Sequence, residues 1–189
     1  MFHIACTRFN NETYNENMRY RNRHNEPVIY GSSLKIRDTY SPGVPIFVAE
    51  MNNATNKIEG IGLIRNNLYN DKHYFIYDND DYNRYVYKGA HWISRKTIAE
   101  INPLILDIFD AILFKGKSHL KRKTGITIIS PHLMGHWNYT LEILKSLVKN
   151  LFLHKFYQVR RGVIEEVKEE EEKKEDDEYT EIIIPIPKK

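Results

Sequence analysis

The chain has a single cysteine, Cys6, in 189 residues. That excludes an internal disulfide and a thiolate metal cluster, and it fits a reducing, intracellular setting. Cys6 follows the apolar stretch Phe2-His3-Ile4-Ala5, where a buried, inert thiol is expected. Nothing approaches the roughly 18 consecutive apolar residues of a membrane helix. The first residues lack a basic segment followed by a long apolar run, so no secretory signal is expected either. Phosphate loops, Gly-x-Ser-x-Gly elbows and Cys/His pairs are also missing. Carboxylates form a run only in the tail, a poor place to perturb a pKa by burial. No catalytic residue, cofactor or metal is therefore expected.

Three partial motifs fall short. Gly60-Ile61-Gly62 lacks the third glycine and the following helix of a dinucleotide fingerprint; glycines in a strand mark a close approach of backbone or ligand. Asp78-Asn79-Asp80-Asp81 lacks the later glycine and glutamate of a calcium loop and reads as a solvated turn. His132 and His136 have zinc-ligand spacing, but Leu133 stands where a zincin has glutamate, and no third ligand is apparent.

What is present is aromatic and unevenly charged. There are 13 Tyr and 8 Phe against 9 Gly, a balance that suits a sheet-rich core. The net charge of +3 divides into −6 over residues 165–189 and +9 over residues 1–164. A basic body with an acidic tail suits a chain that handles polyanions, or a tail that only aids solubility. The basic residues gather in two places. Arg84, Tyr85, Tyr87, Lys88, His91 and Trp92 occupy one strand region, and Lys115, Lys117, His119, Lys121, Arg122 and Lys123 fill one loop. Cations attract phosphate and rings stack on bases. A core-facing Tyr/Trp stripe explains the individual rings equally, whereas six basic or histidine residues in nine positions point to anion binding.

Alternation predicts strands at 2–9, Pro27–Gly31, a hairpin of 44–51 and 57–65, His73–Tyr77 and part of Tyr82–Trp92: five or six before residue 93. The polar stretch up to Asn25 reads as a loop or an exposed short helix. Ser94 caps a helix at 95–101, and Pro103 ends it and starts another to 113. Residues 126–129 form a short strand. Ser130-Pro131 opens a long helix to about residue 153, with Leu141, Leu144, Leu147, Val148, Leu151 and Phe152 inward. Residues 165–178 are an acidic linker or a solvated helix, and 179–189 an apolar end suited to strand addition on its own or a neighbouring sheet.

Several segments resemble an uncharacterised protein family of large nucleocytoplasmic DNA viruses. They are Arg8-Phe9-Asn10-Asn11-Glu12-Thr13, Phe47 through Asn53, Lys57 through Ile64 and Lys115 through Arg122. The likeness spans roughly residues 1–155 and implies an origin, inside the host cytoplasm or nucleus or in the virion. The order of elements is more faintly similar to PUA-like domains of the EVE and YTH type. That implies a small mixed barrel flanked by helices and a pocket for RNA or a modified base. Trp92, Tyr85 or Trp137 would be the ring donors, flanked by Lys117, Lys121 and Arg122.

The expected fold is α+β over residues 1–164: a curved, mostly antiparallel sheet or partial barrel with helices on one side. The expected function is non-enzymatic nucleic-acid binding through Arg84, Tyr85, Lys88, Trp92, Lys115, Lys117, His119, Lys121, Arg122 and Lys123. The alternatives are a self-assembling scaffold or virion protein, homo-oligomeric through residues 179–189, and, less favoured, an enzyme acting on nucleic acid.

Overall fold

A computed structural model of the chain describes residues 1–116, 119–135 and 137–157. The tail segments 165–178 and 179–189 lie outside them. Two compact units divide the chain, Met1–Lys149 and Asn150–Lys189.

The first unit is α+β. Its elements run β1 (His3–Phe9), α1 (Asn11–His24), β2 (Val28–Ser32), β3 (Pro45–Asn52), β4 (Lys57–Arg65), β5 (Tyr85–Gly89), β6 (His91–Ser94), α2 (Arg95–Ile101), α3 (Leu104–Phe114), β7 (Thr127–Ile128) and α4 (Pro131–Met134). Five strands form a mixed sheet in the order β6-β4-β3-β1-β7, and β2 and β5 form a separate antiparallel ribbon. Three of the four pairings in the large sheet are antiparallel, and β1 runs parallel to β3. No closed barrel forms among the described residues.

The strand pleat explains why β3 is buried along nearly its whole length. On one face Ala5, Phe9, Ile46, Val48 and Ile64 pack on Val28, Tyr30 and Tyr87 of the ribbon, and Tyr14 and Tyr20 of α1 join them. On the other, Ile4, Cys6, Phe47, Ala49, Ile61 and Ile93 are buried, and α2 and α3 pack against β4. There the Arg95 guanidinium donates to both Asp110 carboxylate oxygens and to the Ile58 carbonyl. Helices therefore lie on both faces, not on one side.

The two glycines of β4 serve close packing. A Cβ on Gly62 would collide with the Tyr30 hydroxyl and lie 2.9 Å from Val28 Cγ1; one on Gly60 would lie 2.7 Å from Trp92 Nε1.

Four local expectations need correction. Of the loop or exposed short helix expected before Asn25 the helix forms, but it is 14 residues long and partly buried. Asn10 and Thr13 cap it reciprocally, and it ends at Asn25 with φ 51°. Its buried positions are the polar Glu16, Asn17 and Arg21, with Tyr14 and Tyr20 partly buried against the core, so it carries no regular apolar period. Second, His73–Tyr77 is not a strand. The Asn83 side chain accepts from the Ile76 and Tyr77 amides and donates to the Tyr77 carbonyl, replacing a ladder. Third, the exposed turn expected at Asp78–Asp81 is there but runs on to Asn83 as a 3₁₀ turn, Asp80–Asn83, capped by Asn79, so the strand begins at Tyr85. Fourth, the helix opened by Pro131 stops at Met134. Helix resumes at residue 141, where the Thr140 hydroxyl accepts from the Ile143 amide. The predicted apolar positions are buried along it, Leu147 partly. In the second unit, residues 150–157 are helical and the Phe152 and Phe156 rings lie 5.7 Å apart.

Candidate functional site

A cavity of about 690 Å³ opens at the carboxyl end of β1, against the first turns of α1. Its wall comprises residues 7–10, the α1 positions Glu12, Thr13 and Glu16, the end of β2, Asn53, the 77–82 segment and Thr124-Gly125. This position follows from topology. In sheets with parallel strands, the crevice beyond a strand's carboxyl end, where the crossover helix begins, is the usual ligand position. The volume falls within the roughly 300–1,000 Å³ typical of small-molecule sites.

The charged residues of the cavity wall are Arg8, Glu12, Glu16 and Asp78. Glu16 is only 7% exposed. Burial first, and then the neighbouring Asp78 charge, hold its carboxyl above the ordinary range. Tyr77 is buried beside them, its hydroxyl accepting from the Asn17 side-chain amide at 3.1 Å, and burial pushes its pKa up. The Tyr82 ring meets Tyr77 edge-on at 6.1 Å and is only half-buried.

The predicted basic loop reaches the cavity through the residues that follow it, Thr124 and Gly125. Arg8 Nη1 donates to the Lys121 carbonyl at 3.1 Å, and the Asn53 side-chain amide donates to the same oxygen at 3.0 Å. The Leu120 amide bonds to the Leu113 carbonyl, and Lys123 N–H closes a turn onto Leu120. From there Thr124 and Gly125 form part of the cavity wall. Gly125 takes φ +74°, and a Cβ there would lie 2.7 Å from Ser32 Oγ, so only glycine lets the loop pass this close. Arg122 and Lys123 are exposed and Lys121 is partly so. Among the described residues no ion pair engages these three. His119 is half-buried with Nδ1 unpartnered, and Lys115 is exposed at the end of α3. Lys117 lies outside the described residues.

The aromatic strand is placed differently. None of Arg84, Tyr85, Lys88 and Trp92 lines the cavity. Arg84 pairs with Asp81 at 3.0 Å. Lys88 pairs with Glu26 and lies over the Tyr69 and Tyr74 rings, at 5.5 and 4.8 Å. Tyr85 is half-buried opposite Ser32. Trp92 packs over Gly60, and the Arg21 guanidinium lies 4.6 Å from its ring centre. Trp137 is half-buried, its amide bonded to the Met134 carbonyl. The second basic cluster thus spends its charges and rings on internal contacts.

A sealed polar cluster lies beneath Trp92. Glu50 is fully buried where the β3–β4 register shifts. Its Oε1 accepts from Arg21 at 3.1 Å and from the Tyr30 hydroxyl at 2.8 Å. Arg21 also donates to the Pro27 carbonyl. Burial pushes the Glu50 carboxyl up, against the opposing pull of Arg21 and Tyr30.

Sequence reasoning missed Arg8, Glu16, Asn53, Asp78 and Tyr82 as cavity residues. A signal existed for two. Arg8 and Asn53 belong to two segments singled out as distinctive, and the structure brings both onto the carbonyl of a third, at Lys121. Among the described residues no group of three or more His, Cys, Asp or Glu is set to hold a metal, and no helix is long and apolar enough to cross a membrane. Comparisons with protein-family models, with curated proteins and with solved structures find no match.

Proposed function

We propose that the chain binds nucleic acid without acting on it as an enzyme, holding phosphates on the 115–123 loop and taking one nucleotide into the adjoining cavity. The observation that carries this reading is the fastening of the Lys121 carbonyl to Arg8 and Asn53. The exposed Arg122 and Lys123 follow that anchor directly and lead into Thr124 and Gly125, which line a cavity sized for a small molecule. Phosphate contacts of this kind supply affinity and position, and a pocket behind them supplies selectivity.

The PUA-like likeness belongs with this reading, as does a viral setting, since a base-accepting pocket beside a basic flank is what the likeness implies. The ring donor then differs from the one the likeness suggested. Tyr82, half-buried at the cavity wall, takes the place of Trp92 and Tyr85.

The test is anisotropy of fluorescent single- and double-stranded RNA and DNA across a salt series. Binding should weaken steeply with salt, by a slope of about −0.7 to −0.9 per phosphate contact. Lys121→Glu with Arg122→Glu should weaken every sequence alike and flatten that slope. Unchanged affinity in the double variant would reject the surface.

A further inference from the structure

We infer that the cavity selects guanine, through the two neighbouring carboxyl groups of Glu16 and Asp78. This rests on the nucleic-acid reading and adds the identity of the base to it.

The lining carries both signs of charge. Arg8 and the Thr124-Gly125 end of the basic loop belong to the lining, and so do Glu12, Asp78 and Glu16, the last buried to 7% exposure. A nucleotide complements this lining when its phosphate lies toward the cations and its base meets the carboxyls. Base identity then follows from hydrogen-bond chemistry. An ionised carboxylate accepts and does not donate. The pairing edge of uracil or thymine presents two carbonyl oxygens around one N–H, and these oxygens would face carboxylate oxygens. Adenine and cytosine each set a ring-nitrogen acceptor beside their amino group. Guanine presents N1–H and the 2-amino group side by side, the pattern a carboxylate accepts bidentately. Its O6 is left for a donor, and the Thr7 hydroxyl and the Arg8 guanidinium also line the cavity.

The rest of the wall suits this occupant. Tyr82 offers a half-buried ring for stacking. Two N–H donors placed on Glu16 and Asp78 would also relieve the mutual repulsion that, after burial, holds the Glu16 carboxyl up.

The experiment compares three single-stranded RNAs at one salt concentration: a uridine tract, the same tract with one central guanosine, and the same tract with inosine there. Inosine keeps N1–H and lacks the 2-amino group. Guanosine should tighten binding about tenfold or more over the plain tract, as a bidentate base contact does, and inosine should lose most of that gain. Asp78→Asn, at an exposed position, should bring the guanosine RNA down to the level of the plain tract. Glu16→Gln should do the same, with thermal melting to confirm that this buried variant folds. Equal, salt-sensitive binding of all three RNAs overturns the guanine inference and leaves the nucleic-acid reading standing. No binding of any RNA at low salt overturns both.

Discussion

Two polar clusters sit at opposite ends of α1, and they are built on opposite principles. Near its carboxyl end, Arg21 meets Glu50, Tyr30 and Pro27 in a space closed by Trp92. Nearly every group there has a partner within the chain; Glu50 Oε2 and Trp92 Nε1 are the exceptions. At its amino end, Glu12, Thr13 and Glu16 face a cavity. The comparison teaches where to look for function. Polar residues that satisfy one another hold the fold, and polar residues gathered around open space are available to a ligand. By that criterion the Trp92–Arg21 stack is structural and the Glu16–Asp78 wall is the candidate site.

The largest effect should come from cutting the sealed cluster. Arg21→Ala or Glu50→Ala leaves one buried charge without its partner, since the two are 5% and 0% exposed. The expected loss is about 3–5 kcal/mol in chemical denaturation. Replacing both, as Arg21→Met with Glu50→Leu, should restore most of it, because well-packed apolar pairs replace buried ion pairs at little cost. A single truncation costing under about 1 kcal/mol would show that water reaches the cluster and that it is not sealed.

A smaller loss should come from the glycine beneath Tyr30. Gly62→Ala puts a methyl against the Tyr30 hydroxyl and 2.9 Å from Val28 Cγ1. Overpacking of this kind costs about 1–3 kcal/mol, read as a lowered denaturation midpoint. Tyr30→Phe in the same background should recover part of it if the hydroxyl is the obstacle.

Alkaline titration probes the same buried side without a mutation. Burial pushes Cys6 from 9.0 and Tyr14 from 10.0 up to about 12, and Tyr30 and Tyr77 move the same way. These groups must stay neutral to remain buried. Their contribution is therefore fully present below the unfolded values of 9.0 and 10.0, and it is lost as pH rises toward about 12. Urea midpoints should fall steadily over that window, and Cys6 should resist alkylation until they do. A flat profile would mean that these groups ionise in place.

Much of this fold was legible before any coordinates, and the illegible parts share one cause. The hairpin, the Ser94 cap, the break at Pro103 and the buried Cys6 follow from patterns that apolar burial writes into sequence. Helix α1 and the 73–77 segment do not, because side-chain polar groups organise them: Asn17 and Arg21 in one, Asn83 in the other. The same holds for the site. A run of lysines is visible along a chain, so the loop could be marked in advance. The carboxyl pair on the cavity wall comes from residues 16 and 78, which nothing in their local spacing connects.

The open cluster should respond least in stability, and that is the last way to sharpen the contrast. Lys121→Gln with Arg122→Gln removes two charges whose side chains join no ion pair among the described residues, while the Lys121 carbonyl that anchors the loop is untouched. Denaturation should shift by no more than about 0.5 kcal/mol. RNA affinity at low salt should nevertheless fall, with the salt slope reduced by up to about 0.7 for each lost phosphate contact on a single strand. A stability loss as large as that of Gly62→Ala would place these cations with the sealed cluster, as part of what holds the fold. A loss of affinity with the melting curve unchanged would place them with the cavity, where charge is held in readiness for a partner.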